Sequence, residues 1–165
     1  MAKWMIALAT LVAVPGLAAQ AQSAPKAVSV HSGWGAFRDG ERCYAIALAE
    51  PTPYARERQP FASVSVAPGA ERFTMRLSRT IARDAIVTLD VGNRRFRLNG
   101  GGDSAWGKDS AADVGGGNEA IVAAMRSRDT MTVGARDTQG RLFRDAYRLK
   151  GAPTAIDAAI IACSR

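Results

Sequence analysis

The chain has 165 residues, of which 22 are Lys or Arg and 15 are Asp or Glu, a formal net charge of +7. Apolar residues make up 47% and charged ones 22%, which excludes an intrinsically disordered chain and fits a globular domain with a real core. One histidine and two cysteines exclude a zinc centre built on several His or Cys ligands.

The N-terminus runs Met1-Ala2-Lys3, an apolar stretch from Trp4 to Val14, Pro15-Gly16, then Leu17-Ala-Ala-Gln-Ala21. A short positive region, an apolar region and a small-residue cleavage site form the plan of a secretory signal peptide. Ala19 and Ala21 give the A-x-A pattern, so the cut is expected after Ala21, with Ala19 and Ala24 as alternatives. The apolar run of 11 residues (14 − 3) rises ~1.5 Å per residue, too short for a hydrocarbon core ~30 Å thick. A retained N-terminal anchor is the competing reading, and nothing apolar beyond Leu17 lengthens the run to favour it. Pro15-Gly16 breaks the helix before the cut. No cysteine stands near it to accept a lipid. Cleavage leaves 144 residues (165 − 21) and a net charge of +6 (21 − 15), because Lys3 departs with the leader.

Residues 22–30 are small and polar and are expected to form a flexible lead-in. A single domain is expected over 31–165, since no linker or repeat divides it. His31 to Phe37 reads as a strand, Arg38 to Glu41 as a hairpin turn, and Arg42 to Ala49 as the partner strand carrying Cys43 and Tyr44. Pro51, Pro53 and Pro60 make residues 50–60 a loop. Phe61, Val64 and Val66 mark a further strand, closed by Pro68-Gly69. Phe73, Met75 and Leu77 alternate with Arg72, Thr74 and Arg76; Arg72, Arg76, Arg79 and Arg83 would also stripe a helix, but the apolar alternation favours a strand. Ala85 to Val91 and Arg95 to Leu98 form a hairpin around Gly92-Asn93.

Glycine-rich loops are expected at Asn99–Gly102 and Gly115–Gly117, flanking Trp106. Asn118 is placed as N-cap of a short helix that turns Ile121, Val122 and Met125 inward, with Glu119 near its positive end and Arg126 and Arg128 near its negative one. Met131–Ala135 and Leu142–Leu149 are strands around Thr138-Gln139-Gly140. Thr154-Ala-Ile-Asp157 has the spacing of a capping box and is expected to start a C-terminal helix with Ile156, Ile160 and Cys163 on one side. Many short strands with regular turn signals imply a mainly-β fold, an antiparallel sandwich or barrel-like sheet with two short helices, one of them C-terminal.

In an oxidising compartment Cys43 and Cys163 are expected to pair, closing a loop of 120 residues (163 − 43); the alternative is two buried thiols that never meet. No catalytic, cofactor-binding or metal-binding residue is assigned. His31 lies beside the lead-in, poorly placed for a positioned imidazole. Gly102 to Asp109 has nearly the spacing of a phosphate-binding loop, but Asp109 stands where Mg²⁺ needs a Ser or Thr, and its charge would repel phosphate. Asp109 and Asp113 are a candidate acid pair, with a solvated loop as the plainer reading. In Arg94-Arg95-Phe96-Arg97 strand alternation sends Phe96 to the core and the arginines outward, and a nucleic-acid partner does not fit an exported chain. Trp34, Trp106 and Tyr44 could line a groove, but core packing is the simpler role.

Trp34-Gly-Ala-Phe37 followed by Arg42-Cys-Tyr-Ala-Ile46 resembles the opening block of proteins related to invasion-associated locus B. Ala120 to Met125, Asp145-Ala-Tyr-Arg-Leu-Lys-Gly-Ala152, Ala155-Ile156 and Cys163 look like that family's closing blocks. The resemblance spans Trp34 to Cys163. Members commonly carry a further cysteine in the opening strand, where this chain has Cys43 alone. The resemblance implies a mostly-β protein exported to the periplasm or outer membrane, associated in pathogens with host-cell entry and without an accepted enzymatic activity; it transfers no binding residue.

The combined expectation is an exported, non-enzymatic envelope binding or accessory protein that acts through a basic surface. Its partner would be an envelope protein or an anionic envelope surface, reached by peripheral contact, with no transmembrane segment after cleavage. The competing expectations are an envelope hydrolase using loop carboxylates and a structural component of an envelope assembly.

Overall fold

The computed structural model describes residues 24–109 and 116–164, and the leader expected over 1–21 lies outside them. The elements follow one another as β1 (Lys26–His31), β2 (Trp34–Asp39), β3 (Arg42–Leu48), β4 (Phe61–Ala67), β5 (Ala70–Arg76), β6 (Val87–Val91), β7 (Arg94–Gly101), β8 (Ser104–Trp106), α1 (Asn118–Ser127), β9 (Thr130–Arg136), β10 (Leu142–Arg148) and α2 (Ala152–Cys163). The strands form one ten-stranded sheet in the order β1-β2-β3-β4-β5-β8-β7-β6-β9-β10. Every pairing in it is antiparallel. The mainly-β, sandwich-like fold with a C-terminal helix is therefore present.

Alternation decides which side of each strand faces inward. Cys43, Ala45 and Ala47 are buried on β3, Phe73 and Met75 on β5, Leu89 on β6, Met131 and Val133 on β9. All of these but Cys43 join Trp34, Phe96, Tyr147 and, from the helices, Ile121, Met125 and Ile156 in one apolar cluster; Cys43 packs with Ala36 and Ala159 in a second. Trp34 on β2 donates its Nε1–H to the Arg148 carbonyl of β10 at 2.8 Å, and the Glu50 amide donates to Ala146 at 2.8 Å. The two ends of the strand order thus fold back toward each other over a shared core.

β7 makes the turn between the two halves. Its first part, Arg94–Leu98, pairs with β6, while Asn99–Gly101 pairs with β8. The glycine loop expected at Asn99–Gly102 is corrected accordingly: through Gly101 these residues continue a strand, and Ser104–Trp106 forms another. The physical reason is close packing. A Cβ at Gly100 would come within 2.7 Å of Ile81 and 2.8 Å of Val87, so glycine here lets β7 pass under them.

The flexible lead-in expected over 22–30 is corrected over 26–30, because Lys26–His31 pairs with β2 as an edge strand. Asn118 is the first residue of α1, not its cap; Gly117 holds that position. The Asn118 side chain instead accepts the Phe73 amide at 2.9 Å and donates to Asp109 at 3.2 Å, tying α1 to β5. Nor does the capping box form. α2 begins at Ala152 with Pro153 in its first turn, where a missing N–H costs nothing, and Asp157 pairs with Arg126. Gly151 precedes the helix at φ +90, and a Cβ there would run into the His31 carbonyl. Only glycine suits that corner.

α2 buries Ala152, Ala155, Ile156 and Ala159, a stripe at helical spacing, against the β1–β4 part of the sheet. Ile160, expected on the inner side, is 37% exposed. The far end of α2 sits over Ala36 and Cys43, whose small side chains let helix and strand approach. There Cys43 and Cys163 are bonded, with Cα atoms 5.9 Å apart.

Candidate anion-binding groove

The side of β6, β9 and β10 opposite the core carries several arginines that have no carboxylate partner among the described residues. Because Val87, Leu89 and Val91 point inward, Thr88 and Asp90 point out. The same rule turns Arg95 and Arg97 outward on β7, Thr132, Gly134 and Arg136 on β9, and Leu142 and Arg144 on β10. Register then sets them in rows. Arg97 faces Thr88, Thr88 faces Gly134, and Gly134 faces Arg144. The next row holds Arg95, Asp90, Thr132 and Ala146. Beyond the first row, Arg136 faces Leu142.

A groove of about 790 Å³ runs along this face, walled on one side by Ala82–Ile86. Gly134 forms part of its floor, leaving a saddle between Thr88 and Arg144 where any side chain would stand up. Among the described residues, Arg83, Arg97 and Arg144 pair with no carboxylate, and Arg136 donates only to the Gly140 carbonyl, at 2.7 Å. The acids of the groove are largely satisfied. Asp90 takes a two-pronged contact from Arg95 at 2.7 and 3.3 Å. Asp137 is 2% exposed and accepts the Gln139 and Arg141 amides, each at 2.9 Å, and the Arg141 guanidinium at 2.8 Å. Burial alone would push the Asp137 carboxyl up, but these donors together hold it below the ordinary carboxylate range. Asp84 is the one acid of the wall without an arginine. Two exposed apolar side chains complete the rim, Ile86 at 62% and Leu142 at 70%.

Such a face is suited to anions. Guanidinium groups free of carboxylates present paired N–H donors that match phosphate or carboxylate oxygens. A second and larger groove, about 1110 Å³, lies between the β4–β5 hairpin and the helices. Among its described lining residues the cation is Arg72, which Asp109 neutralises at 3.3 Å, so it offers an anion little.

Of the residues singled out in the sequence, Arg83 and Arg95 line this groove and Arg97 shares its face, while the other candidates lie away from it. Cys43 and Cys163 are joined at the other end of the sheet. His31 ends β1 against Gly151. Trp34 is fully buried, whereas Trp106 is 41% exposed, and Tyr44 is half-buried and stacks on Phe37 with ring centroids 5.8 Å apart. Core packing therefore holds for Trp34 alone. Asp109 pairs with Arg72 and accepts from Asn118, while Asp113 lies outside the described residues. Within Gly102–Asp109, Ser104–Trp106 is a strand between antiparallel neighbours. Phe96 is buried with Arg95 and Arg97 outward, as alternation requires, and Arg94 lies 5.0 Å over the Phe96 ring. Sequence reasoning missed Arg136 and Arg144 as parts of a site. The available signal was an arginine at an outward position on several strands.

No helix among the described residues is long and apolar enough to cross a membrane. No protein-family model, curated protein or solved structure matches the chain.

Proposed function

We propose that the chain is an exported, non-enzymatic cell-envelope binding or accessory protein, resembling the invasion-associated locus B family, that meets an anionic partner through the outer face of β6, β9 and β10. The carrying observation is that Arg83, Arg97, Arg136 and Arg144 share one face and have no carboxylate partner among the described residues. A guanidinium left unpaired on a folded surface is free to pair with something else. The signal-like order of residues 1–21 and the Cys43–Cys163 bond support work in the periplasm or at the outer membrane, where thiols oxidise. The partner is an anionic envelope surface or an envelope protein of complementary charge.

The full chain, expressed with its own leader and purified from the envelope fraction, tests this on immobilised lipopolysaccharide and on envelope extract. Retention in low salt that falls steeply as ionic strength rises is expected, because the Debye length shrinks from roughly 30 Å at 0.01 M to 10 Å at 0.1 M. Passage through both matrices at low salt would overturn the electrostatic reading. Recovery of the protein from the cytosol, beginning at Met1 with both thiols titratable, would overturn export.

A further inference from the structure

Resting on that reading, we propose that the groove recognises the junction between headgroup phosphate and acyl chain of an anionic lipid, so that its partner is a membrane surface. A soluble polyanion needs cations alone. This face pairs its cations with two apolar side chains that water meets freely, Ile86 at 62% and Leu142 at 70% exposure. Both line the groove, together with Arg83, Arg136 and Arg144.

The arrangement is layered in the way a lipid headgroup region is. Leu142 and Arg136 face each other across β9 and β10, next to the Thr138–Gly140 turn. Two residues further along the strands, roughly 7 Å away, stand Arg144 and the Gly134 saddle. Arg97 and Thr88 continue that level. Ile86 ends the loop on the opposite wall, two residues before Thr88. A phosphate seated over Gly134 would meet the Arg144 guanidinium on one side and the Thr88 hydroxyl on the other, with Arg136 two residues along β9. The acyl carbons next to it would then cover Ile86 and Leu142. Arginine suits such a boundary, since its aliphatic stem can lie in the apolar layer while the charge stays at the headgroups.

The test uses the full chain and two variants at exposed groove positions, Arg83→Gln with Arg144→Gln, and Ile86→Ser with Leu142→Ser. Circular dichroism melts check that each stays folded. Co-sedimentation is measured with vesicles of phosphatidylcholine alone and with vesicles one-third phosphatidylglycerol. Calorimetric titration with inositol hexakisphosphate reports the soluble anion. Binding to the anionic vesicles and none to phosphatidylcholine is expected for the unaltered chain. The arginine variant should bind them about 25-fold more weakly, at roughly fivefold per cation near an anionic surface. The apolar variant should lose about tenfold on vesicles yet titrate inositol hexakisphosphate as the unaltered chain does. If the apolar variant sediments with anionic vesicles as well as the unaltered chain, the lipid inference falls while the basic-surface reading stands. If the arginine variant also binds vesicles and inositol hexakisphosphate undiminished, both fall.

Discussion

Asp137 stands at the turn between β9 and β10, where two backbone amides and the guanidinium of Arg141 meet its carboxylate, with Arg79 at 3.4 Å. Its folded-state pKa is lowered, so the stability it contributes is present above the unfolded value near 3.9 and is lost as pH falls through the folded one. Asp137→Asn should therefore lower Tm at neutral pH, and the gap to the unaltered chain should close on acidification. Melts from pH 7 down to 2 check this. Tyr147 is the opposite case. Its hydroxyl has no hydrogen-bond partner among the described residues, and burial, with the charge of Asp145 adding to it, pushes its pKa above the ordinary tyrosine range. That contribution is complete below the unfolded value of about 10 and is lost as pH rises beyond it. Tyr147→Phe removes a buried group that lacks a partner and should raise stability by about 1 kcal/mol at pH 7. Its advantage should widen above pH 10, as chemical denaturation across that range would report. At this scale the sequence was most readable where chemistry is local. The two cysteines named each other, while Asn118 was misread because the cap rule is local and the Phe73 amide it satisfies lies 45 positions away.

Helix α2 is held by a narrow stripe of alanines and one isoleucine, with Ile160 and Ile161 left 37% and 53% exposed. So little apolar area makes the disulfide a large part of what fixes its last turn. A closed loop of 120 residues contributes up to about 5 kcal/mol in the chain-entropy account. Cys43→Ala with Cys163→Ala should cost roughly 2–5 kcal/mol in denaturant unfolding. Amide exchange should speed first at 160–164, near the released end, because the helix start at Gly151 remains clamped against β1. The strands and hairpins themselves were legible, since alternation of buried and exposed residues is a signal carried within each segment. β1, β8 and the end of β7 were not. β8 and the end of β7 are short and rich in glycine and small residues, and β1 leaves its alternating Val28 and Val30 exposed, so each becomes a strand because a neighbour supplies the pairing.

At the scale of the molecule, the groove exists because β7, β6, β9 and β10 lie side by side, although α1 separates β7 and β8 from β9 in the chain. Arginine at outward positions can be read from one strand at a time. That Arg97, Thr88, Gly134 and Arg144 share a row depends on registers between strands up to 46 positions apart (134 − 88), which no local pattern encodes. The basic balance was therefore visible in the composition, and its concentration on one face was not. The exposed apolar residues offer a direct test of whether the groove face is the one proposed to meet a membrane. Ile86 and Leu142 line the groove, while Leu48 at 61% and Tyr54 at 80% exposure lie elsewhere and serve as internal controls. Hydroxyl-radical footprinting of the chain, free and bound to phosphatidylglycerol-containing vesicles, measures all four at once. The account predicts that Ile86 and Leu142 lose reactivity on binding while Leu48 and Tyr54 keep theirs; protection of Leu48 and Tyr54 with Ile86 and Leu142 still reactive would contradict it.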